Sequence, residues 1–168
     1  MSVVSKDLPC RFRDKHNTEI VIDLCCDSDC EQIGEMYWHF EPKESYQGIP
    51  PRTREKTMDW VRGILRDNMN LKARCGSQVI GHASLLKIRE NDLCEYLIFV
   101  HQDFQNRCIG TKLTEIAKRC AAVQGYHHIW LSVDLYNSRA IHVYTKTGFR
   151  FITPVEAERE MVLDLDKS

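Results

Sequence analysis

Along this chain the spacing of apolar residues switches between every second and every third or fourth position, and each switch marks an element. Arg11 to Arg13 and Glu19 to Leu24 are short extended pieces around the polar turn Asp14-Lys15-His16-Asn17, which predicts an opening hairpin. Ser28 with Glu31 has capping-box spacing, and Ile33, Met36, Tyr37 and Phe40 follow at i, i+3, i+4 and i+7, so a helix is expected over 29–40. Three prolines, Pro42, Pro50 and Pro51, then forbid a regular element over 41–52. Met58, Val61, Ile64 and Leu65 predict a second helix over 53–68, with Gly63 its weak point. Leu71 to Cys75 and Val79 to Ile88 flank Gly76-Ser77-Gln78 as a hairpin, and Leu93 to His101 is extended. From Ile109 the period becomes helical, with Leu113, Ile116, Ala117, Cys120 and Ala121 in one stripe ended by Gly125. A strand over 128–133, a helix over 137–147 closed by Gly148, and strands over 149–153 and 160–165 complete the chain. The order β-β-α-α-β-β-β-α-β-α-β-β is α+β, with a single βαβ crossover between 93 and 133.

A length of 168 residues suits one compact domain and is short for two. The expected division is an N-terminal extension, 1–17, holding the start of the hairpin, and a single domain, 18–168. Lys plus Arg number 23 against 24 Asp plus Glu, a net charge of −1, so the basic excess that phosphate neutralisation needs is missing and no nucleic-acid partner is expected. No apolar run approaches the ~18 residues of a membrane span, and the first residues lack a signal-peptide core. The expectation is a cytoplasmic protein with no membrane contact. Eight cysteines lie scattered through apolar segments and read as reduced, mostly buried thiols. Cys25, Cys26 and Cys30 could offer thiolates to zinc, but no partner pair at finger-like spacing follows, His127-His128 being the nearest, so no metal is expected.

Two stretches carry chemistry. In the first, 100–113, a buried strand runs into a polar turn and then a helix. The free N–H groups and dipole of such a helix start suit a pyrophosphate, and the Arg107 side chain and Thr111 hydroxyl could add to it. A plain strand-to-helix turn with Gly110 present for packing is the bland alternative. The Walker loop and the dinucleotide fingerprint are both absent. The second stretch, Asn137 to Phe149, has the skeleton N-x-x-A-x-x-x-Y-x-x-x-G-F.

Together the stretches resemble the GCN5-related N-acetyltransferase (GNAT) superfamily over residues 18–165. Gln105 and Gly110 match the family's Q/R-x-x-G-x-G/A motif, with Cys108 where its first glycine stands, a change compatible with backbone phosphate binding if its φ is negative. The resemblance implies a mixed, mostly antiparallel sheet splayed between its middle strands and flanked by helices. It implies acetyl-CoA as co-substrate, its pyrophosphate held by the amides of Asn106, Arg107, Cys108, Ile109, Gly110 and Thr111. The strand edge at Ile98, Phe99 and Val100 would bond the pantetheine arm, with Asn137 bonding it and Ala140 leaving it room. Tyr144 would protonate the leaving thiolate. Cys94-Glu95 to Val100 is similar to the A-E-x-x-x-x-V stretch of bacterial protein-lysine acetyltransferases, which implies Glu95 as the base, with His82 and His101 behind it and strand alternation or a bulge deciding whether Glu95 faces the site.

The implied activity is direct acetyl transfer to a primary amine, a small molecule or a protein lysine, by a monomer or homodimer. A catalytically silent acyl-CoA-binding module is the alternative from another class. A covalent route through Cys94 or Cys108 is disfavoured, since neither has a neighbouring histidine in sequence. The first helix, the 41–52 loop and the turn Glu90-Asn91-Asp92 are expected on the acceptor side, where Glu41, Glu44 and Asp92 would favour a cationic amine.

Overall fold

The computed structural model describes residues 8–41, 51–88, 92–153 and 158–165, and these form a mixed α+β fold of eight strands and four helices. β1 (Cys10–Arg13) and β2 (Glu19–Leu24) make the opening hairpin. α1 (Cys30–Trp38) and α2 (Arg54–Asp67) follow, then β3 (Met69–Cys75), β4 (Gln78–Lys87) and β5 (Leu93–Val100). α3 (Ile109–Val123) crosses to β6 (His128–Asp134), and α4 (Ser138–Lys146), β7 (Arg150–Phe151) and β8 (Glu158–Asp164) complete the chain. The sheet order is β1-β2-β3-β4-β5-β6-β8-β7, antiparallel at every pairing except β5 with β6.

Each face of the sheet has its own core. On one face the α3 stripe Ile109, Leu113, Ile116, Ala117, Cys120 and Ala121 is buried against Ile80, Ala83, Cys94 and Tyr96. Full burial of a side chain the size of Leu113 contributes roughly 1.5–3 kcal/mol, so this stripe anchors the crossover. Gly81 permits it, because a Cβ there would come within 3.2 Å of the Leu113 side chain and 3.3 Å of Ala73. On the other face Ile33, Met36, Tyr37 and Phe40 pack with Val61, Val79 and Phe99. α1 is tied to the sheet by a buried ion pair between Asp29 and Lys72 of β3.

Several boundaries differ from the sequence expectation for local reasons. Asp29, not Glu31, closes the turn before α1: its carboxylate accepts the Cys26 N–H at 2.8 Å. α1 ends at Trp38, two residues early, with Phe40 still buried. β3 starts at Met69 because the buried Asn70 is satisfied inside the strand, its Nδ2 donating to the Ile64 and Asn68 carbonyls at 3.2 and 2.8 Å. Phe149 does not enter β7. Gly148 takes φ +99°, and the Phe149 N–H turns back to the Tyr144 carbonyl at 3.0 Å, closing α4.

The cysteines form no disulfide, as expected, but only Cys94 and Cys120 are buried, while Cys26 and Cys108 are exposed. Among the described residues no helix is long and apolar enough to cross a membrane. Residues 42–50 of the proline-rich stretch, Glu44 included, lie outside the described residues, as do Glu90 and Asn91.

Candidate active site

β5 and β6 are paired only from Leu93 to Glu95 against His128 to Trp130, and beyond that point the two strands part. Alternation decides what the freed edge offers. The His101 N–H donates to the Ile80 carbonyl at 2.8 Å across β4, so by ladder geometry Phe99, Leu97 and Glu95 turn their peptide groups to β4, while Ile98 and Val100 turn theirs into the gap. The Val100 carbonyl is already taken by Gln105 Nε2 at 3.0 Å. Of the three residues expected on the open edge, Ile98 and Val100 present main-chain groups there, and Phe99 presents its side chain instead.

The gap holds a cavity of about 470 Å³. Ile98 and Val100 line it from the α3 face of the sheet, and Leu97 and Phe99 from the α1 face. It therefore wraps around the edge of one strand. Phe40 joins the α1 side, and Gln105, Asn106, Cys108, Gly110, Thr111, Asn137, Ala140 and Tyr144 all line it.

At its α3 end the backbone is arranged for an anion. Asn106 and Cys108 have φ of +60° and +66°, and the N–H groups from Asn106 to Thr111 donate to no acceptor among the described residues. Cys108 thus takes the left-handed conformation of a glycine, so the negative φ set as the condition for its compatibility with phosphate binding is not met; its side chain is exposed. Packing does not demand glycine at 110: a Cβ there would meet Val143, Val100 and Ile98 only at 3.8–4.0 Å. The side chain of Arg107 does not join the cavity. It ion-pairs with buried Asp14 at 3.3 Å and lies over the Phe104 ring. Ile109 likewise sends its side chain into the core.

α4 brings the second motif to the gap. Asn137 caps it, its Oδ1 accepting the Ala140 N–H at 3.2 Å. Tyr144, one α4 turn beyond Ala140, is buried beside Tyr96 and Phe149, and burial pushes its hydroxyl pKa up. The two tyrosines of the cavity differ in one respect. Thr114 donates its proton to the Gly110 carbonyl and so accepts from Tyr96, whereas the Tyr144 hydroxyl has no protein partner among the described residues.

Glu95 stands two residues before the cavity-lining Leu97, on the same face of β5, with no bulge in the β4–β5 register. It is half-buried and does not line the cavity, and burial raises its carboxyl pKa. His82 is no acid–base group. It is fully buried, Asn70 Oδ1 accepts its Nε2–H at 3.0 Å, its Nδ1 accepts the Tyr37 O–H at 2.7 Å, and burial lowers its pKa to about 3. His101 caps the turn after β5, its Nδ1 accepting the Asp103 N–H at 3.3 Å. Asp92 sits at the far end of β5, where its carbonyl accepts the N–H groups of His127 and His128, and exposed Glu41 does not line the cavity.

Sequence reasoning missed Phe40 and Leu97 as wall residues, and a basic side-chain row made by Lys15, Arg139 and Lys146 with His142 beside them. The spacing of 139, 142 and 146 along α4 was a usable signal for the last three.

The sequence profile of the Acetyltransferase (GNAT) family matches residues 31–149. The chain belongs to that family. Among GNAT relatives, spermidine N(1)-acetyltransferase of Escherichia coli K12 is 24% identical over 115 residues, 67% of this chain and 59% of the relative. The chain thus aligns with less than two thirds of that protein's length. Among solved structures, the GNAT domain of S. lividans PAT superposes with a TM-score of 0.80 at 17% identity, covering 92% of this chain and 96% of that one. The yncA protein of Salmonella typhimurium, solved with its cofactor acetyl-CoA, superposes at 0.73 with 21% identity, covering 89% and 95%. The splayed α+β sheet expected from the motifs is therefore the family fold.

Proposed function

We propose that this chain is an N-acetyltransferase that moves the acetyl group of acetyl-CoA directly to a primary amine, in the cytoplasm, with residues 18–168 and the β1 strand paired to them as its single catalytic domain. The observation that carries the reading is the cavity at the β5–β6 parting, which joins a row of unpartnered amides, an open strand edge and an unpartnered tyrosine hydroxyl. Unsatisfied donors at one helix start suit a pyrophosphate, and the cationic α4 side suits the remaining phosphate. The residues present fit the cofactor.

Acetyl-CoA, when bound, supplies an acetyl thioester whose C–S bond breaks as the amine nitrogen forms the new C–N bond. The amides of Asn106 to Thr111 hold the anionic end, and the main-chain groups of Ile98 and the Val100 N–H orient the arm along β5. Ala140 leaves room, and the Asn137 amide nitrogen is free to donate while its oxygen caps α4. Burial disfavours the phenolate and keeps the Tyr144 hydroxyl protonated, so its O–H is present to donate to the departing thiolate. Glu95 takes the proton that the amine loses, through water, since its carboxylate stands behind Leu97. The acceptor is a small amine or a protein lysine, and the E. coli relative's name carries a polyamine.

A second reading, a silent acyl-CoA-binding module, is favoured by one observation, the absence of Glu95 from the cavity wall. Thiol release from acetyl-CoA over a panel of primary amines separates the two. Amine-dependent release supports the transferase; tight acetyl-CoA binding with no release on any amine selects the module.

A further inference from the structure

We infer that the acceptor is a primary monoamine with an uncharged, apolar body, best filled by an aromatic ring, and that polyamines are poor substrates. The inference rests on the transferase reading above. It comes from the end of the cavity that the cofactor motifs do not use.

Because the cavity wraps around β5, its α1 side is the approach left for an acceptor. That side is walled by Phe40, Leu97 and Phe99. Phe40 and Phe99 meet edge to face, with centroids 5.1 Å apart and planes at 87°. Phe99 in turn meets Tyr37 at 4.9 Å, and Tyr37 meets Trp60 at 5.0 Å. The Tyr37 O–H donates to His82, which donates to Asn70, so the aromatic wall is braced from behind by a fully satisfied buried network. A rigid wall of ring edges and faces is preorganised for an apolar or aromatic body.

Charge argues the same way. Lys15, Arg139 and Lys146 line the cavity, and Asp134 is the single carboxylate that does so among the described residues. Asp134 belongs to β6, across the gap from the aromatic wall, and its Oδ1 already accepts the Tyr136 N–H at 2.7 Å. A polyamine would bring two or more ammonium groups besides the reacting nitrogen toward a wall of apolar side chains. Each would lose water, with Asp134 the one carboxylate that the described lining offers in return. A monoamine carries only the nitrogen that must become neutral to react.

The test is steady-state thiol release from acetyl-CoA by the full chain with 2-phenylethylamine, spermidine and a lysine-containing peptide, together with calorimetric titration of acetyl-CoA. The expected result is a kcat/KM for 2-phenylethylamine at least tenfold above that for spermidine and for the peptide. Phe40→Leu, which removes the ring but keeps an apolar side chain at the wall, should narrow that ratio at least threefold while the affinity for acetyl-CoA, which also reports that the variant is folded, stays unchanged. Phe99→Leu should act in the same direction. Spermidine or the peptide matching 2-phenylethylamine overturns the acceptor class and leaves the transferase reading standing. Binding of acetyl-CoA with no release on any amine overturns both.

Discussion

Replacing Cys108 by glycine should make the protein more stable. Cys108 is the residue before α3 and holds φ +66°, ψ 4°, a left-handed conformation that costs a side-chain-bearing residue roughly 1–2 kcal/mol. Its thiol is exposed, so truncation removes little packing. Against the relief stands the greater freedom of glycine in the unfolded chain, worth about 0.4–1 kcal/mol. The net gain lies between roughly 0 and 1.6 kcal/mol, centred near 0.8, and at about 2–4 °C per kcal/mol for a chain of this size the central value raises the midpoint by ~2–3 °C. Differential scanning calorimetry of wild type, Cys108→Gly and Cys108→Ala would read it. The alanine variant loses the thiol but keeps the Cβ, so it should not share the gain. A glycine variant no more stable than the alanine variant would refute the strain argument. Acetyl-CoA affinity should survive in Cys108→Gly, because the contacts assigned to this position are made by its amide.

For Tyr144→Phe, kcat should fall roughly tenfold to a thousandfold with little change in acetyl-CoA affinity, as only a transferred proton is lost; an unchanged kcat in steady-state assays would reassign Tyr144 to packing. Burial holds the Glu95 carboxyl above the ordinary carboxylate range, so the base form grows in above that range, and Glu95→Gln should weaken or move the ascending limb of the kcat/KM profile. A variant that runs at wild-type rate at every pH would leave Glu95 without a role in proton transfer. His82 is neutral in the fold, with a pKa lowered to about 3, while the unfolded chain protonates it near 6.5, so between those values the unfolded state binds the extra proton. Its contribution is complete above pH 6.5 and is lost on acidification, by about 2 kcal/mol at pH 5. Urea unfolding at pH 7 and 5 should show that loss in wild type and a smaller one in His82→Gln, and equal losses would contradict it.

Much of the fold was legible because burial is periodic. The α3 stripe and the alternation of β5 both state which side faces the core. Boundaries failed where polar groups inside elements are satisfied locally, as at Asn70, or where a glycine turn captures the next residue, as at Phe149. Within the site, the motif residues named which segments meet, and Gln105, Gly110, Asn137, Ala140 and Tyr144 do line one cavity. Which way each group points is a matter of tertiary register. Spacing alone could not tell that Phe99 bonds across β4, that Arg107 is drawn off by Asp14, or that His82 is enclosed between Tyr37 and Asn70. Phe40 read as the last apolar residue of a helix face, and only the parting of β5 from β6 makes it a cavity wall.

The central claim is that the cavity between β5 and β6 binds acetyl-CoA with its pyrophosphate on the amides of Asn106 to Thr111. Isothermal titration of acetyl-CoA into wild type and Gly110→Asp tests it most directly. The space beside Gly110 admits a Cβ at ordinary contact distance, so the variant should fold, while its carboxylate would stand against the phosphates. Saturable binding to wild type with at least a tenfold loss in the folded variant is the expected result. Equal affinity in the two proteins, or no binding to wild type at millimolar acetyl-CoA, would contradict the account.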